Sequence, residues 1–218
     1  GGFGGGIDQL VTMEAVGRAL LPEPLAETVL QCAPLLAGAG TAAQDLIGGV
    51  ITGDVRLAMA LGEAGLRDDL AGVALPAARS GSGWVLSGEK QVVIAAPWST
   101  HLLVAARTAG QPGDAHGLSL FAVPVDAKGL ALHAYRTLDE RQAADVSFRD
   151  VAAGADALIG PEHGALPLLE EWRDRAIAAA CAEASGLLER LLDDTVAYAR
   201  QREQFGQPVA QLAAVADL

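Results

Sequence analysis

The 218 residues carry 27 acidic and 15 basic side chains, a net charge of −12, which sets the chain against nucleic acid and anionic membranes because long-range repulsion opposes encounter. Hydrophobic residues make up 51% but aromatics only 4%, so the core has to be built from Ala, Leu and Val, which suits closely packed helices. Cys32 and Cys181 lie far apart and His101, His116, His133 and His163 are scattered, which argues against a disulfide framework or a zinc site; no metal is expected.

The opening Gly-Gly-Phe-Gly-Gly-Gly has neither the basic nor the apolar region of a signal peptide and reads as the inside of a loop. No apolar run reaches the roughly 18 residues of a membrane span, so a cytoplasmic chain is expected. A helical pattern starts at Asp8 to Glu14 and is interrupted at Pro22-Glu23-Pro24. Leu25 to Leu36 is predicted as a second helix and Ala42 to Gly48 as a third, giving an N-terminal helical domain over residues 1–56.

From Leu57 the helical period gives way to alternation. Trp84 to Ile94 reads as two strands joined by a tight turn at Ser87-Gly88, with Gly supplying positive φ. Further strands are expected at His101 to Arg107, Leu118 to Val125, Leu130 to Tyr135 and Ala144 to Phe148, a small antiparallel barrel or sandwich over residues 57–160.

After Gly160-Pro161 the pattern is helical to Arg202, with Gly186 its one weak point. Leu187, Leu188, Leu191, Leu192 and Thr195 form an apolar stripe, and Glu183, Glu189, Arg190, Asp193 and Asp194 the wet face. Cys181 falls on the apolar side as a small core residue. One long helix and the start of another cannot close a bundle, so residues 161–218 are expected to be the truncated start of a C-terminal helical bundle.

Tyr198-Ala199-Arg200-Gln201-Arg202-Glu203-Gln204-Phe205-Gly206-Gln207-Pro208, followed by Gln211, resembles the Y-A-x-x-R-x-Q-F-G-x-P signature of flavin-dependent acyl-CoA dehydrogenases. The resemblance runs through nearly the whole chain. Gly-Gly-Phe-Gly-Gly with Glu14-Ala15-Val16-Gly17-Arg18 is similar to the family's G-G-x-G loop and E-x-x-G-R helix, Trp84 to Lys90 to its W-x-L-x-G-x-K segment, and Leu103 to Thr108 to its l-V-x-A-r-T strand. It implies the same fold order: helical domain, β domain, helical bundle. It also implies that Arg202 contacts the pyrophosphate of a neighbouring protomer's FAD, with Gln204, Phe205 and Gly206 beside it.

Two segments depart from the pattern. Glu63 and Asp69 fall on the family's T-E-P-x-x-G-S-D flavin segment, yet Gly62, Ala64, Arg67 and Asp68 stand where it has Thr, Pro, Gly and Ser. Lys90-Gln91-Val92-Val93-Ile94-Ala95 replaces K-x-W-I-T-N, so Val92 takes the place of the ring-packing Trp and Ile94 that of the hydrogen-bonding Thr. Val, Val and Ile are expected to make a buried strand, and Trp98 to pack. The family's catalytic Glu has one place beyond Leu218 and another aligned with Ala176; Glu170, Glu171 and Asp174 nearby read as surface acids, so no catalytic residue is assigned to this chain. Lys128, Arg136 and Arg141 read as solvated charges that could also meet CoA phosphates.

The resemblance therefore implies a subunit of an α2β2 acyl-CoA dehydrogenase that completes the FAD site of a homologous partner instead of holding its own. Acyl-CoA would be the substrate and electron-transfer flavoprotein or a similar protein the acceptor. A homotetramer with a substituted flavin pocket, or a scaffold binding CoA esters on the same fold, are the alternatives.

Overall fold

A computed structural model of the chain describes residues 5–37 and 40–212. The glycine loop before Gly5 and the residues after Leu212 lie outside that range. The chain divides into two compact units, residues 22–176 and residues 1–21 with 177–218.

The first unit opens with helical turns. Ala26–Cys32 is wound as a π-helix and Ala33–Leu36 as a 3-10 turn, not as the single regular helix expected. Tertiary bonding overrides the local pattern here: the Thr28 hydroxyl donates to the carbonyl of Leu57 (2.9 Å) and accepts its N–H (3.1 Å), while Glu27 meets Arg141 at 3.2 Å. A regular helix follows at α2, Gly40–Thr52, longer than its sequence pattern indicated.

Two four-stranded sheets form the rest of this unit. One runs β1 (Leu57–Ala60), β4 (His101–Arg107), β5 (Leu118–Pro124), β8 (Leu158–Ile159), with β1 and β4 parallel. The other runs β2 (Ala77–Ser80), β3 (Gly83–Ile94), β7 (Gln142–Ala153), β6 (Leu130–Arg136), antiparallel throughout. The first sheet is buried on both faces. Ala58, Leu102, Val104 and Phe121 point between the sheets, and Leu57, Leu103, Ala105 and Leu120 into a second core with Cys32, Leu35, Leu36 and Leu169. Double burial explains why Leu102 to Ala106 is continuously apolar instead of alternating.

Ser87-Gly88 is not the expected turn. Strand β3 runs straight through it, pairing with β7 on both sides of a register shift between Leu86 and Gly88. The positive φ of Gly88, +137°, serves a β-bulge, and the reversal into β3 lies earlier, at Gly81-Ser82.

The second unit is built from α1 (Gly6–Ala19) and the part of α3 (Leu166–Gln201) from Ile177 onward. A side-chain carbon added at Gly17 would lie 1.9 Å from the Glu183 carbonyl oxygen, and one added at Gly186 1.9 Å from that of Glu14. Gly186 is therefore the point where two helix backbones touch, not a weak spot in the long helix. Arg18 closes the crossing with Glu189 (3.3 Å) and Asp193 (2.7 Å), residues read from the sequence as a wet face. The leucine stripe at Leu187, Leu188, Leu191 and Leu192 is exposed among the described residues, and so is Cys181, which is not the core residue expected.

The crossing yields a signed prediction. Gly→Ala inside an exposed helix ordinarily stabilises by roughly 1 kcal/mol, whereas Gly186→Ala should destabilise by about 1–3 kcal/mol through overpacking. Denaturant unfolding of the two proteins checks the sign; a stabilised variant would mean that the helices do not touch there.

Candidate functional site

The loop after β1 is held by charged side chains turned inward. The Glu63 carboxylate accepts the N–H groups of Ala74 (2.8 Å) and Leu75 (3.0 Å) and the ammonium of Lys90 at 2.6 Å. Lys90 is fully buried and also donates to the Leu61 carbonyl at 3.1 Å. Burial pushes its pKa down to about 8, with Glu63 offsetting part of the desolvation. Asp69 accepts the N–H of Ala71 at 3.0 Å, capping a short turn. Arg107, also buried, donates to the carbonyls of Val73 (3.1 Å), Asp114 (3.0 Å), His116 (3.2 Å) and Ala71. Glu63, Asp69 and Lys90, which match the family's flavin segments, thus act on the loop's own backbone.

Where those segments meet, the backbone is closed. The N–H of Gln91 donates to Gly62 at 2.7 Å, and a side-chain carbon at Gly62 would come within 2.5 Å of the Gln91 carbonyl oxygen. Between Lys90 and Val93 the register shifts again. Val92 takes φ +53° and is 57% exposed, so it is not the buried strand residue expected; only Val93 of that trio is buried. A β-branched residue in the left-handed region is unusual and needs an outside partner. Asp145 supplies it: its Oδ1 accepts the Val92 N–H at 3.0 Å and the Tyr135 hydroxyl at 3.0 Å. Trp98, expected to pack, is 41% exposed.

These residues do not fit a flavin ring. The hydroxyls at 62 and 94 and the indole at 92 are replaced by Gly, Ile and Val, and a carboxylate stands at the seat. The adjoining groove, about 470 Å³, is lined by Glu89, Gln91, His133, Asp145 and Ser147 with short apolar residues and has no Lys or Arg.

The C-terminal signature presents different chemistry. After α3, β9 (Glu203–Gln204) and β10 (Gln207–Pro208) pair as a two-residue hairpin whose central residues, Phe205 and Gly206, have φ of +54° and +78°. Positive φ at both positions marks the turn that matches strand twist. Arg202 enters the hairpin with its N–H on Tyr198 (2.8 Å) and its carbonyl accepting Val209 (2.8 Å); its side chain is exposed and forms no ion pair among the described residues. Gln204 donates to the Glu203 carbonyl at 2.8 Å. Phe205 is 92% exposed and so is not a core residue. A guanidinium with free donors beside an exposed ring suits a phosphate and a flat cofactor arriving from outside.

The remaining candidates are engaged or exposed. Glu171 pairs with Arg175 (2.8 Å), Asp174 with Arg173 (3.5 Å) and Arg136 with Glu140 (2.7 Å), while Arg141 meets Glu27 and Asp139, each at 3.2 Å. Glu170 and Lys128 are exposed. His163 binds the Thr108 hydroxyl at 2.8 Å. Sequence reasoning missed Asp145 and Tyr135. Strand alternation puts Asp145 on an open face, but nothing local reveals that its partner is a backbone N–H 53 residues away.

Comparison with known proteins follows this geometry. The model for the acyl-CoA dehydrogenase middle domain matches residues 58–151 and that for the C-terminal domain residues 175–218. The long-chain specific mitochondrial acyl-CoA dehydrogenase of Rattus norvegicus is 35% identical over 191 residues, 84% of this chain and 44% of that protein. Among solved structures, butyryl-CoA dehydrogenase from Megasphaera elsdenii superposes with a TM-score of 0.89 at 23% identity, covering 98% of this chain and 58% of that one. The Tcur3481-Tcur3483 steroid ACAD, as its G363A variant, is 36% identical with a TM-score of 0.78, covering 98% and 55%. The chain thus spans about half the length of the relatives it matches.

The buried lysine gives a pH prediction. With the folded pKa near about 8 and the ordinary value at 10.5, between these limits the unfolded chain holds a proton that the folded chain has released, so this group adds stability as pH rises through the window. The unfolding free energy of the parent minus that of Lys90→Met should climb across that range; a flat difference would mean that the ammonium is not desolvated.

Proposed function

Because the chain belongs to the acyl-CoA dehydrogenase family, we propose that it is one subunit of an FAD-dependent enzyme that removes hydrogen across the α,β bond of an acyl-CoA thioester. In this reading the subunit does not hold a flavin of its own. It lends Arg202, Gln204, Phe205 and Gly206 to the FAD site of a homologous partner in an α2β2 assembly. One observation carries the reading: Phe205 stands 92% exposed on a hairpin whose geometry is complete without it being buried. A large aromatic held outward at a left-handed position is paid for only if something covers it.

The seat chemistry supports the same view, since the segments that would hold a flavin in this chain lack the hydroxyls and the aromatic wall. The likeness to a steroid ACAD named for two components supports both the heteromer and a bulky acyl-CoA substrate. A Caffeyl-CoA reductase-Etf complex subunit from Acetobacterium woodii, 25% identical, supports an electron-transfer flavoprotein as acceptor. No catalytic carboxylate is assigned to residues 1–218 in this reading: Ala176 occupies one of the family's two positions for it, and the other falls beyond Leu218.

The full-length chain expressed alone is expected to be colourless, and co-expression with its homologous partner to give one FAD per heterodimer. Arg202→Ala should weaken FAD retention in that complex roughly 10- to 100-fold, the worth of a charge-assisted hydrogen bond. A chain that is yellow by itself, with one flavin per polypeptide absorbing near ~450 nm, would overturn the proposal in favour of a homo-oligomer. If no partner restores flavin or activity, the chain is a scaffold.

A further inference from the structure

Resting on the reading that this chain carries no flavin of its own, we infer that its flavin seat is locked from inside and that Asp145 is the residue that locks it. A segment that had merely lost its contact side chains could leave the N–H groups at 91 and 92 free. Here they are consumed. The N–H of Gln91 is spent on Gly62 at 2.7 Å and that of Val92 on Asp145 at 3.0 Å.

The lock is built from three strands. Val92 sits on β3 at φ +53°, a conformation unfavourable for a branched residue unless something holds it. Asp145 on β7 holds it through a charge-assisted bond, and Tyr135 on β6 orients the same carboxylate oxygen at 3.0 Å. Burial, then the hydrogen bond to Asp145 and its charge, push the Tyr135 phenol above its usual range, so it stays a donor. The β-bulge between Lys90 and Val93 supplies the extra residue that turns the Val92 N–H toward the carboxylate.

On the other side Gly62 lies too close to Gln91 for any side chain, at 2.5 Å from a would-be Cβ to a backbone oxygen. A Thr at that position would force the loop away from β3. In front of the bulge, Glu89 and Asp145 face a groove of about 470 Å³ with no cation in its lining. An anionic or electron-rich group entering that groove would meet two carboxylates. Restoring the aromatic and hydroxyl side chains therefore does not reopen the seat.

The test uses the full-length chain with excess FAD as probe. Val92→Trp with Ile94→Thr should fold, as judged by circular dichroism and thermal melting, and remain colourless. Asp145→Ala should raise hydrogen exchange at the Val92 amide by roughly tenfold or more, as expected for an amide that loses its acceptor. Asp145→Asn, which keeps an acceptor oxygen, should leave exchange near the parent rate. If the double variant does not fold, the two Asp145 variants carry the test. Stoichiometric FAD uptake by the double variant with Asp145 in place would overturn the lock, as would unchanged exchange in Asp145→Ala. Either result in a colourless parent chain leaves the heteromer reading standing. A yellow parent chain sinks both, and a lock that holds in a chain no partner can supply with flavin sinks the heteromer alone.

Discussion

A fully buried ammonium has few places to go. Lys90 at zero exposure is tolerable only because Glu63 sits 2.6 Å away and the Leu61 carbonyl accepts a second N–H of the ammonium, and Glu63 in turn needs the N–H groups of Ala74 and Leu75. These bonds fasten the loop that follows β1 to the middle of β3. Arg107 fastens the far end of the same loop through the carbonyls of Ala71 and Val73, and joins it to the β4–β5 connection through those of Asp114 and His116. The loop's path is thereby set by protein groups alone, so a cofactor is not needed to shape it.

This separates two jobs that a flavin-binding motif performs together. Glu63, Asp69 and Lys90 build the loop, and in this chain all three are present and bonded internally. The residues at 62, 92 and 94 would face the ring, and all three are changed. The first set is enough to keep the loop's path, because its bonds do not depend on the second. The hairpin at Arg202 shows the complementary case: its backbone geometry is satisfied locally, and the side chains of Arg202 and Phe205 are exposed.

Much of this was legible in the sequence, and the failures share a cause. The order of helical and β segments was legible: β4 and β5 as short apolar runs bounded by turn residues, and the long helix as a stretch with no Gly-Pro break. The turn assigned to Ser87-Gly88 failed because a glycine with positive φ serves a bulge as well as a turn, and only pairing with β7 tells them apart. Val92 failed because hydrophobicity says that a residue prefers burial, not that the backbone permits it. Gly186 was misread for a similar reason: helix propensity is local, and the contact with Glu14 is not. Asp145 was invisible because its partner is a main-chain N–H, which every residue but proline carries.

The position of strain adds a last step. Val92 and Phe205 are both non-glycine residues with positive φ, and both occupy signature positions of the family. At Val92 the strained backbone is tied down by a carboxylate from the next strand and the side chain is left with nothing to do. At Phe205 the strain is absorbed by a hairpin with Gly206 beside it, and the ring is the group that projects. The same backbone device therefore has opposite consequences, withdrawing a donor from one site and presenting an aromatic at the other. Composition cannot distinguish the two; the surroundings of the strained residue, the Asp145 carboxylate on the Val92 N–H in one case and the pairing of β9 with β10 around Phe205 in the other, do.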